Sequence, residues 1–339
     1  MARVAQWEQQ IARRLRLRDL FVFMTVVDCG SMAQAAARLA VSAPAVSEAI
    51  ANFEHALGVR LLDRTSKGVL PTPYGRALLQ RGRAAFDELH QGIKDIESMS
   101  DPGVGEVRIG CPESIAAGFL LTVVERLASR YPRVRFHVEQ VHNPTVVFPE
   151  LLARKVDLVL ARLVTPLSDG RLSEELNAEV LFDDPFSIVV GGDSRWARRD
   201  SVDLSDLVNE RWIMTPLDAL GGSFVAEAFR ARGLTIPEFS ATTFSIHMRN
   251  NLVSGGRFIT ALPASVLRIS GSRYGLSALP IRLTDKPSPV AVVTLRKRTL
   301  ASVVQLFVEA AREVASLFHG PILDRSPAPT RNGWEPSGV

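Results

Sequence analysis

The sequence predicts an α+β multidomain protein, in which a small helical domain and a long helix precede a C-terminal part made of two α/β lobes. The length of 339 residues is enough for two or three domains of ordinary size. Apolar residues in the N-terminal part recur at helical spacing. From Val107 onwards, short apolar segments typical of strands alternate with helical segments, which is the pattern of a parallel sheet covered by helices.

The charge of the chain is distributed unevenly. The formal net charge is +4, but residues 1–85 carry 12 Lys or Arg against 6 Asp or Glu, whereas the remaining residues carry 28 against 30. A basic N-terminal part beside a near-neutral remainder predicts a polyanionic partner for the N-terminal part alone. The alternative is a chance fluctuation of surface charge. Residues 1–16 are interpreted as a basic N-terminal extension.

Composition argues against several protein classes. The two cysteines, Cys29 and Cys111, are too few and too far apart for a disulfide framework or a thiolate metal site. The N-terminal residues lack the apolar core of a signal peptide, and no apolar run approaches the ~18 residues of a membrane span. We therefore expect a cytoplasmic protein with no membrane contact, no cofactor and no metal.

Three short helices are predicted in the N-terminal domain. The first runs from Leu17 to Val27, where Gly30 ends it, and Ser31 is placed to cap the second. The third begins after Ser42 and ends at Gly58. The predicted core face of the first helix consists of Leu17, Leu20, Phe21, Met24 and Val27.

The segment GSMAQAAARLAVSAPAVSEAI, residues 30–50, has the spacing of a helix-turn-helix, in which each helix buries the apolar face of the other. The small side chain of Ala36 allows the helices to cross closely. Ser42 stands where an N-cap belongs, and Pro44 falls in the first turn, where its missing N–H is not needed. The predicted core of this motif consists of Leu39, Val41, Val46 and Ile50.

The outward face of the third helix is the predicted DNA-reading surface. In a helix-turn-helix this face enters the major groove, so double-stranded DNA is the expected partner. The alternative is an alanine-rich helical hairpin with no role in nucleic-acid binding. The residues predicted to contact DNA from the helices are Ser31, Ser42, Ala43, Pro44, Ser47 and Glu48.

The segment RLLDRTSKGVLPT, residues 60–72, predicts two short strands around a turn. Directly after a helix-turn-helix, such a hairpin is the wing of a winged helix, and the side chains of Arg64 and Lys67 can reach DNA phosphates. The alternative is an ordinary solvated turn. The winged helix-turn-helix domain is therefore placed at residues 17–75.

A long helix is predicted from Pro73 to about Met99. Residues 76–103 are assigned to the linker and dimerisation region. The apolar stripe of the helix needs a partner surface, and antiparallel pairing with a second copy of the chain would provide one. The alternative is packing on its own C-terminal domain. The segment DPGVG, residues 101–105, is predicted to be an extended linker. The stripe consists of Leu78, Leu79, Phe86, Leu89, Ile93 and Ile96.

Residues 104–319 are predicted to form the two α/β lobes. The strands of the first lobe are VRIGC, RVRFHVEQV and DLVLA, with helices near 115–130 and 145–154 between them. The second lobe repeats the pattern with RWIMT, SATTF and RFITAL, and residues 288–297 and 300–318 return towards the hinge. The remaining residues, 320–339, are rich in Pro, Gly and Ser and are predicted to be a disordered tail.

The stretch DLFVFMTVVDCGSMAQAAARLAVSAPAVSEAIANFEHALGVRLLDRTSKGVLPTPYGRALL, residues 19–79, resembles the DNA-binding segment of the LysR-type transcriptional regulators. The resemblance continues through VRIG, VDLVLARL and LVSGGRFITALPASVL. It implies a winged helix, a linker helix and a two-lobed, periplasmic-binding-protein-like effector domain. It also implies a homodimer through the linker helix, assembly into a homotetramer, contact with RNA polymerase and a small-molecule effector.

The sequence departs from the family at two positions of the third helix. Many members carry glutamine at the position of Ala43 and a basic residue at that of Glu48. An alanine methyl can contact thymine, and a glutamate can accept a hydrogen bond from a cytosine amino group. These departures concern the operator sequence rather than DNA binding itself.

The effector site is predicted between the lobes, beyond the C-terminal ends of the strands. Ser114 can donate a hydroxyl and Arg162 supplies a cation, which together predict a small anionic ligand such as a carboxylate or sulfonate. The alternatives are helix capping by Ser114 and a surface ion pair for Arg162, while Glu113 favours a ligand that also carries a hydrogen-bond donor. The predicted lining residues are Glu113, Ser114, His142, Asn143, Thr145, Arg162, Thr215, Phe244 and Ser245. Matching positions line the inducer pocket in the family.

Solute-binding proteins and some enzymes share the two-lobed fold, so the fold alone does not decide the function. The chain has no HExxH, P-loop or GxSxG motif, and a secreted receptor would carry a signal peptide. A redox sensor would need two thiols able to meet, but Cys29 and Cys111 fall in different predicted domains, where both are expected to be buried apolar residues. The predicted function is therefore that of a sequence-specific, effector-modulated transcriptional regulator and not an enzyme.

Overall fold

A computed structural model of the chain describes residues 16–65, 68–100, 103–141, 148–163, 174–284 and 286–318. Residues 1–15 of the predicted extension and the predicted tail 320–339 lie outside the described residues. The chain divides into two compact units, Met1–Ile93 and Lys94–Val339.

The N-terminal unit is a three-helix domain with a hairpin, as the sequence predicts. Gly30 and Gly58 end two of its helices in the left-handed conformation, with φ of 64° and 70°, which a residue without Cβ adopts at little cost. The elements are α1 Leu17–Cys29, α2 Met32–Leu39, α3 Ala43–Leu57, β1 Leu62–Thr65 and β2 Gly68–Pro71, followed by α4 Pro73–Ser100.

The core of this unit differs in part from the predicted one. Val46 and Ile50 are buried as predicted, but Val41 is 38% exposed because it lies in the turn between α2 and α3. The prediction for the core face of α1 is also partly wrong, since Leu17 and Phe21 are exposed. The buried residues of α1 are instead Val22, Phe23, Thr25 and Val26.

The face of α1 that carries Leu20 and Phe21 lies against the middle of α4. The rings of Phe21 and Phe86 are 5.5 Å apart, and a Cβ added to Gly82 would lie 2.9 Å from the Leu20 side chain. Two helices therefore approach closely here because α4 has a glycine at the crossing. A periodicity pattern identifies an apolar face but not which of two neighbouring elements covers it.

The first lobe of the C-terminal unit begins with β3, which starts at Val104, so the predicted linker 101–105 is shorter than expected. The predicted helix near 145–154 is described only as a short turn at its C-terminal end. The elements are β3 Val104–Cys111, α5 Glu113–Ile115, a π-helical turn Ala116–Leu120, α6 Leu121–Arg130, β4 Arg133–Gln140, α7 Pro149–Leu152, β5 Leu158–Arg162 and β6 Leu176–Asp183.

The second lobe follows without interruption, and the chain then returns to the first lobe. The elements of the second lobe are β7 Phe186–Gly191, a 3-10 turn Leu204–Leu207, β8 Trp212–Met214, α8 Leu220–Ala231, β9 Phe239–Thr242, α9 Ile246–Ser254, β10 Ile259–Pro263, α10 Ala264–Tyr274 and β11 Leu276–Arg282. The returning elements are β12 Pro289–Leu295, α11 Ser302–Ala315 and a 3-10 turn Ser316–Phe318.

Each lobe is built on a five-stranded mixed sheet. The strand order is β4-β3-β5-β12-β6 in the first lobe and β11-β7-β10-β8-β9 in the second. In the first lobe β3 runs parallel to β4 and β5, whereas β12 runs antiparallel to β5 and β6. Separate apolar cores lie in the two lobes. Residues 288–297 and 300–318 are predicted to return towards the hinge, but they go further: β12 lies within the first-lobe sheet and α11 packs in the first-lobe core.

Candidate functional site

The third helix presents the predicted DNA-reading face to solvent. Ser42, Ala43, Pro44 and Glu48 are exposed, and Ser47 is half-buried. The hydroxyl of Ser42 accepts a hydrogen bond from the Ala45 amide at 3.4 Å, which is the predicted N-cap. The first turns of α3 thus bury Val46 in the core and leave Ala43, Pro44 and Glu48 exposed to solvent.

Ser31 occupies the N-cap position of α2, but its side chain makes no capping hydrogen bond, so the predicted capping role is wrong. The position itself is half-buried, beside the turn that joins α1 and α2. Its hydroxyl is therefore not used to begin α2, and contact of Ser31 with DNA stays a prediction.

The wing is fixed to the helix-turn-helix by backbone contacts. Strands β1 and β2 pair antiparallel, with Thr65 opposite Gly68. The Val69 amide donates to the Gly30 carbonyl at 2.9 Å, and a Cβ on Gly68 would lie 2.6 Å from that oxygen. Glycine is thus required where the wing meets the α1–α2 turn. The side chain of Arg64, and Lys67 as a whole, lie outside what the structure describes.

The apolar stripe of α4 is buried at one end and exposed at the other. Leu78 and Leu79 pack against the core of the N-terminal unit. Towards the C-terminal end, Leu89, Ile93 and Ile96 are 48%, 56% and 67% exposed. Large apolar side chains at helical spacing on one exposed face are typical of a helix that meets a partner.

A cavity of about 350 Å³ lies between the two lobes. Five residues predicted to bind the effector line it: Glu113, Ser114, Arg162, Thr215 and Phe244. Ser245 does not line it, because its hydroxyl caps α9 by accepting from the Met248 amide at 3.2 Å. His142, Asn143 and Thr145 lie outside the described residues. The sequence therefore identifies most of the described polar lining of this cavity.

The predicted role of Arg162 requires a free cation, but its guanidinium is paired. Its side chain is 5% exposed and forms an ion pair with Asp184, which is itself buried. Its Nη1 also donates to the Ser114 hydroxyl at 2.8 Å. The carboxylate of Asp184 accepts in addition from the amide and hydroxyl of Ser265 at 2.8 and 2.7 Å. Arg162 is thus neutralised inside a network that joins the first lobe to the start of α10.

A second arginine lines the cavity and forms no ion pair with a described residue. Arg249 is 2% exposed, and among the described residues its guanidinium has one hydrogen bond, from Nη1 to the Ala261 carbonyl at 3.0 Å. Its Nε is buried and has no hydrogen-bond partner in the part of the chain that the structure describes. Burial lowers the pKa of Arg249 to about 10, which the charge of Glu113 partly opposes. The group is therefore a buried cation at neutral pH.

Arg249 is not among the residues predicted to bind the effector, although its position in the sequence carries a signal. Ile246, Arg249 and Val253 follow one another at helical spacing and are all buried on the same face of α9. A charged residue in an apolar phase of a helix points inward and needs a function or a partner. The sequence does not show that this face borders the cleft, because that depends on how the lobes meet.

The cysteines are not arranged for redox chemistry. Cys111 is buried, and burial raises the pKa of its thiol to about 12. The reactive form of cysteine is the thiolate, so this side chain is inert near neutral pH. Cys29 is free and half-buried. The expectation that Cys111 is an apolar core residue is therefore confirmed, and Cys29 is less buried than expected.

Comparison with known proteins assigns both units. Residues 17–76 match the family described as bacterial regulatory helix-turn-helix protein, lysR family, and residues 100–316 match the LysR substrate binding domain. The chain is 26% identical over 301 residues to the HTH-type transcriptional regulator TdcA of Escherichia coli K12, covering 89% of this chain and 94% of TdcA. It is 27% identical over 296 residues to the transcriptional dual regulator GltC of Bacillus subtilis, covering 87% and 96%.

Solved structures show the same fold. A full-length OxyR variant from Pseudomonas aeruginosa matches with a TM-score of 0.62 and 17% identity, covering 88% of this chain and 98% of that one. Full-length CbnR in complex with its target DNA matches with a TM-score of 0.59 and 20% identity, covering 88% and 100%. Among the described residues, none of the helices is long and apolar enough to cross a membrane. The chain belongs to the LysR family: it is a DNA-binding transcriptional regulator with an effector-binding domain, and not an enzyme.

Proposed function

We propose that this regulator binds its operator as a homodimer and responds to a small organic effector whose anionic group pairs with Arg249 between the lobes. The observation that carries this proposal is the burial of the Arg249 guanidinium on the cavity with one hydrogen bond and no ion pair to a described residue. A buried charge that lacks a partner is costly, and an anion is the ligand that would remove this cost.

The remaining lining supports an organic anion rather than an inorganic one. The cavity of about 350 Å³ is large enough for a small metabolite. Phe148, Phe186 and Phe244 supply apolar surface, and Thr215 and Ser114 supply hydroxyl groups. Ligand sites of this kind combine an apolar wall with a few polar groups that fix the orientation of the ligand.

The exposed stripe of Leu89, Ile93 and Ile96 supports dimerisation through α4. A dimer places two recognition helices on two half-sites and raises affinity through effective concentration. The proposed contacts with DNA are the outward residues of α3, together with Ser31, Arg64 and Lys67. Assembly into a tetramer, contact with RNA polymerase and location in the cytoplasm are further parts of the proposal.

A thermal-shift screen of small organic acids tests the effector site. A compound at a hundred times its Kd stabilises the protein by about 2.7 kcal/mol, which is a measurable rise in Tm. We expect compounds that raise the Tm to change operator binding in a gel shift as well. We expect no such rise for Arg249→Met, whereas Arg230→Met, at an exposed position of α8, should respond like the wild type. A full response of Arg249→Met would contradict the proposed site.

A further inference from the structure

The effector cavity contains a second charged group, which comes from the opposite lobe. Glu113 begins α5 in the first lobe, yet its Oε1 accepts a hydrogen bond from the Ile246 amide of the second lobe at 2.7 Å. Ile246 begins α9, and Arg249 follows on the same buried face. A carboxylate from one lobe therefore lies across the cleft at the end of the helix that carries the buried cation.

Glu113 and Arg249 act on each other without forming an ion pair. The charge of Glu113 raises the pKa of Arg249 against the effect of burial. The hydrogen bonds of the two groups go to other residues, from Ile246 to Glu113 and from Arg249 to Ala261. The second oxygen of Glu113 is 3.4 Å from the Gln140 amide nitrogen, in an exposed position. The two charges thus border the same cavity as separate groups, and each retains capacity for a ligand.

A ligand with only a negative charge does not suit this arrangement. Its anionic group would approach Arg249 but would also approach the carboxylate of Glu113, and like charges in a cleft of low polarity repel strongly. Asp218, which is exposed, adds another carboxylate to the lining. The Arg162–Asp184 pair is neutral as a unit and does not change this balance.

We propose that the effector is a small zwitterion of the amino-acid type, whose carboxylate pairs with Arg249 and whose protonated amine pairs with Glu113. This inference rests on the proposed function of the cleft and specifies the class of its ligand. The aromatic rings of Phe148, Phe186 and Phe244 would receive an apolar side chain. Because Glu113 and Arg249 belong to different lobes, such a ligand connects the lobes through its two charges.

The test compares ligands that differ only in charge. The L-α-amino acids are screened with the full-length protein by thermal shift, and binding is then measured by calorimetry. For each amino acid that binds, the matched probes are the carboxylic acid that lacks the amine and the amine that lacks the carboxylate. For phenylalanine these are 3-phenylpropanoate and 2-phenylethylamine. We expect at least one amino acid to bind at least tenfold more tightly than either of its matched probes.

Two variants connect the result to the proposed residue. Glu113→Gln keeps the oxygen that accepts from Ile246 and removes only the charge. We expect it to weaken amino-acid binding at least tenfold and to strengthen binding of the matched carboxylic acid. Glu125→Gln, on the exposed face of α6, is the control and should change neither affinity.

The outcomes separate the ligand class from the proposed function. If carboxylic acids bind as tightly as amino acids, or if Glu113→Gln leaves amino-acid affinity unchanged, the zwitterion is wrong and the anionic effector stands. If only carboxylic acids bind, the conclusion is the same. If neither class binds and operator binding responds to neither, both proposals are wrong.

Discussion

Replacing Arg249 with methionine should make the ligand-free protein more stable. Burial lowers the pKa of Arg249 to about 10, more than two pH units below the ordinary value for arginine. One pKa unit corresponds to about 1.4 kcal/mol, so keeping this guanidinium charged in the fold costs about 3 kcal/mol. Because arginine is a base, a lowered pKa in the folded protein means that its charge destabilises the fold. At pH 7 the group is charged in both folded and unfolded chains, and the whole cost is present until the pH rises past about 10.

The substitution also removes one favourable interaction. The hydrogen bond from Arg249 to the Ala261 carbonyl is worth about 2 kcal/mol, because its donor is charged, and methionine fills an irregular apolar space with little strain. The net expectation is a gain of about 1 kcal/mol. For a unit of this size, 1 kcal/mol shifts the Tm by ~2–4 °C, so the Tm should rise by ~2–4 °C.

Scanning calorimetry gives the Tm, and tryptophan fluorescence follows the unfolding of the second lobe, because Trp196 and Trp212 are both buried there. Arg230→Met is the control, since it removes an exposed arginine from the same lobe. The reasoning is refuted if Arg249→Met melts at or below the wild-type temperature, because the guanidinium would then be satisfied in the ligand-free fold.

Four other substitutions or treatments have defined outcomes. Arg64→Ala should weaken binding to specific and random DNA alike and reduce the salt slope by roughly one, as measured by gel shifts over a salt series; an unchanged slope would show that Arg64 does not contact phosphate. Glu48→Gln should alter preference at one base pair by about 1–3 kcal/mol in a selection from random sequences, and an equal loss on random DNA would contradict a base-reading role. Asp184→Asn should lower stability by about 3–5 kcal/mol in a denaturant titration, because the buried charge of Arg162 loses its partner; an unchanged midpoint would argue against this. The Cys111 thiol should resist alkylation and peroxide in the native protein and react after unfolding, as followed by mass spectrometry, since a pKa of about 12 leaves roughly one thiolate in 10⁵ at pH 7. Rapid native labelling of Cys111 would show that the thiol is accessible and ionised.

The helix-turn-helix could be predicted from the sequence because its signals are local. Gly30 and Gly58 end helices in a left-handed conformation, and Ser42 caps the third helix within a few residues of its own position. Such signals act over one turn of chain and need no knowledge of the rest of the fold. Val41 was misplaced because it is apolar but lies in the turn, where burial depends on neighbouring elements rather than on periodicity.

The effector cleft could be predicted only in part. The rule that ligands lie beyond the C-terminal ends of strands correctly placed Glu113, Ser114 and Arg162 on the cavity. It could not show that Arg162 is neutralised, because Asp184 reaches it from the segment that crosses between the lobes. Arg249 could not be identified from the sequence for a related reason. The inward face of α9 is part of a site only because the first lobe lies against it.

The order of elements along the chain also sets the order in which the protein can fold during synthesis. Strand β12 is an internal strand of the first-lobe sheet, between β5 and β6, yet it is made after the whole second lobe. At ~5–20 residues per second, the emerging first-lobe strands wait on the order of ten seconds for the strand that joins them. The second lobe is continuous in sequence and can complete its sheet during that interval. The second lobe can therefore fold before the first lobe is able to complete its sheet, and a chain that ends before β12 leaves the edges of β5 and β6 unpaired and prone to aggregate.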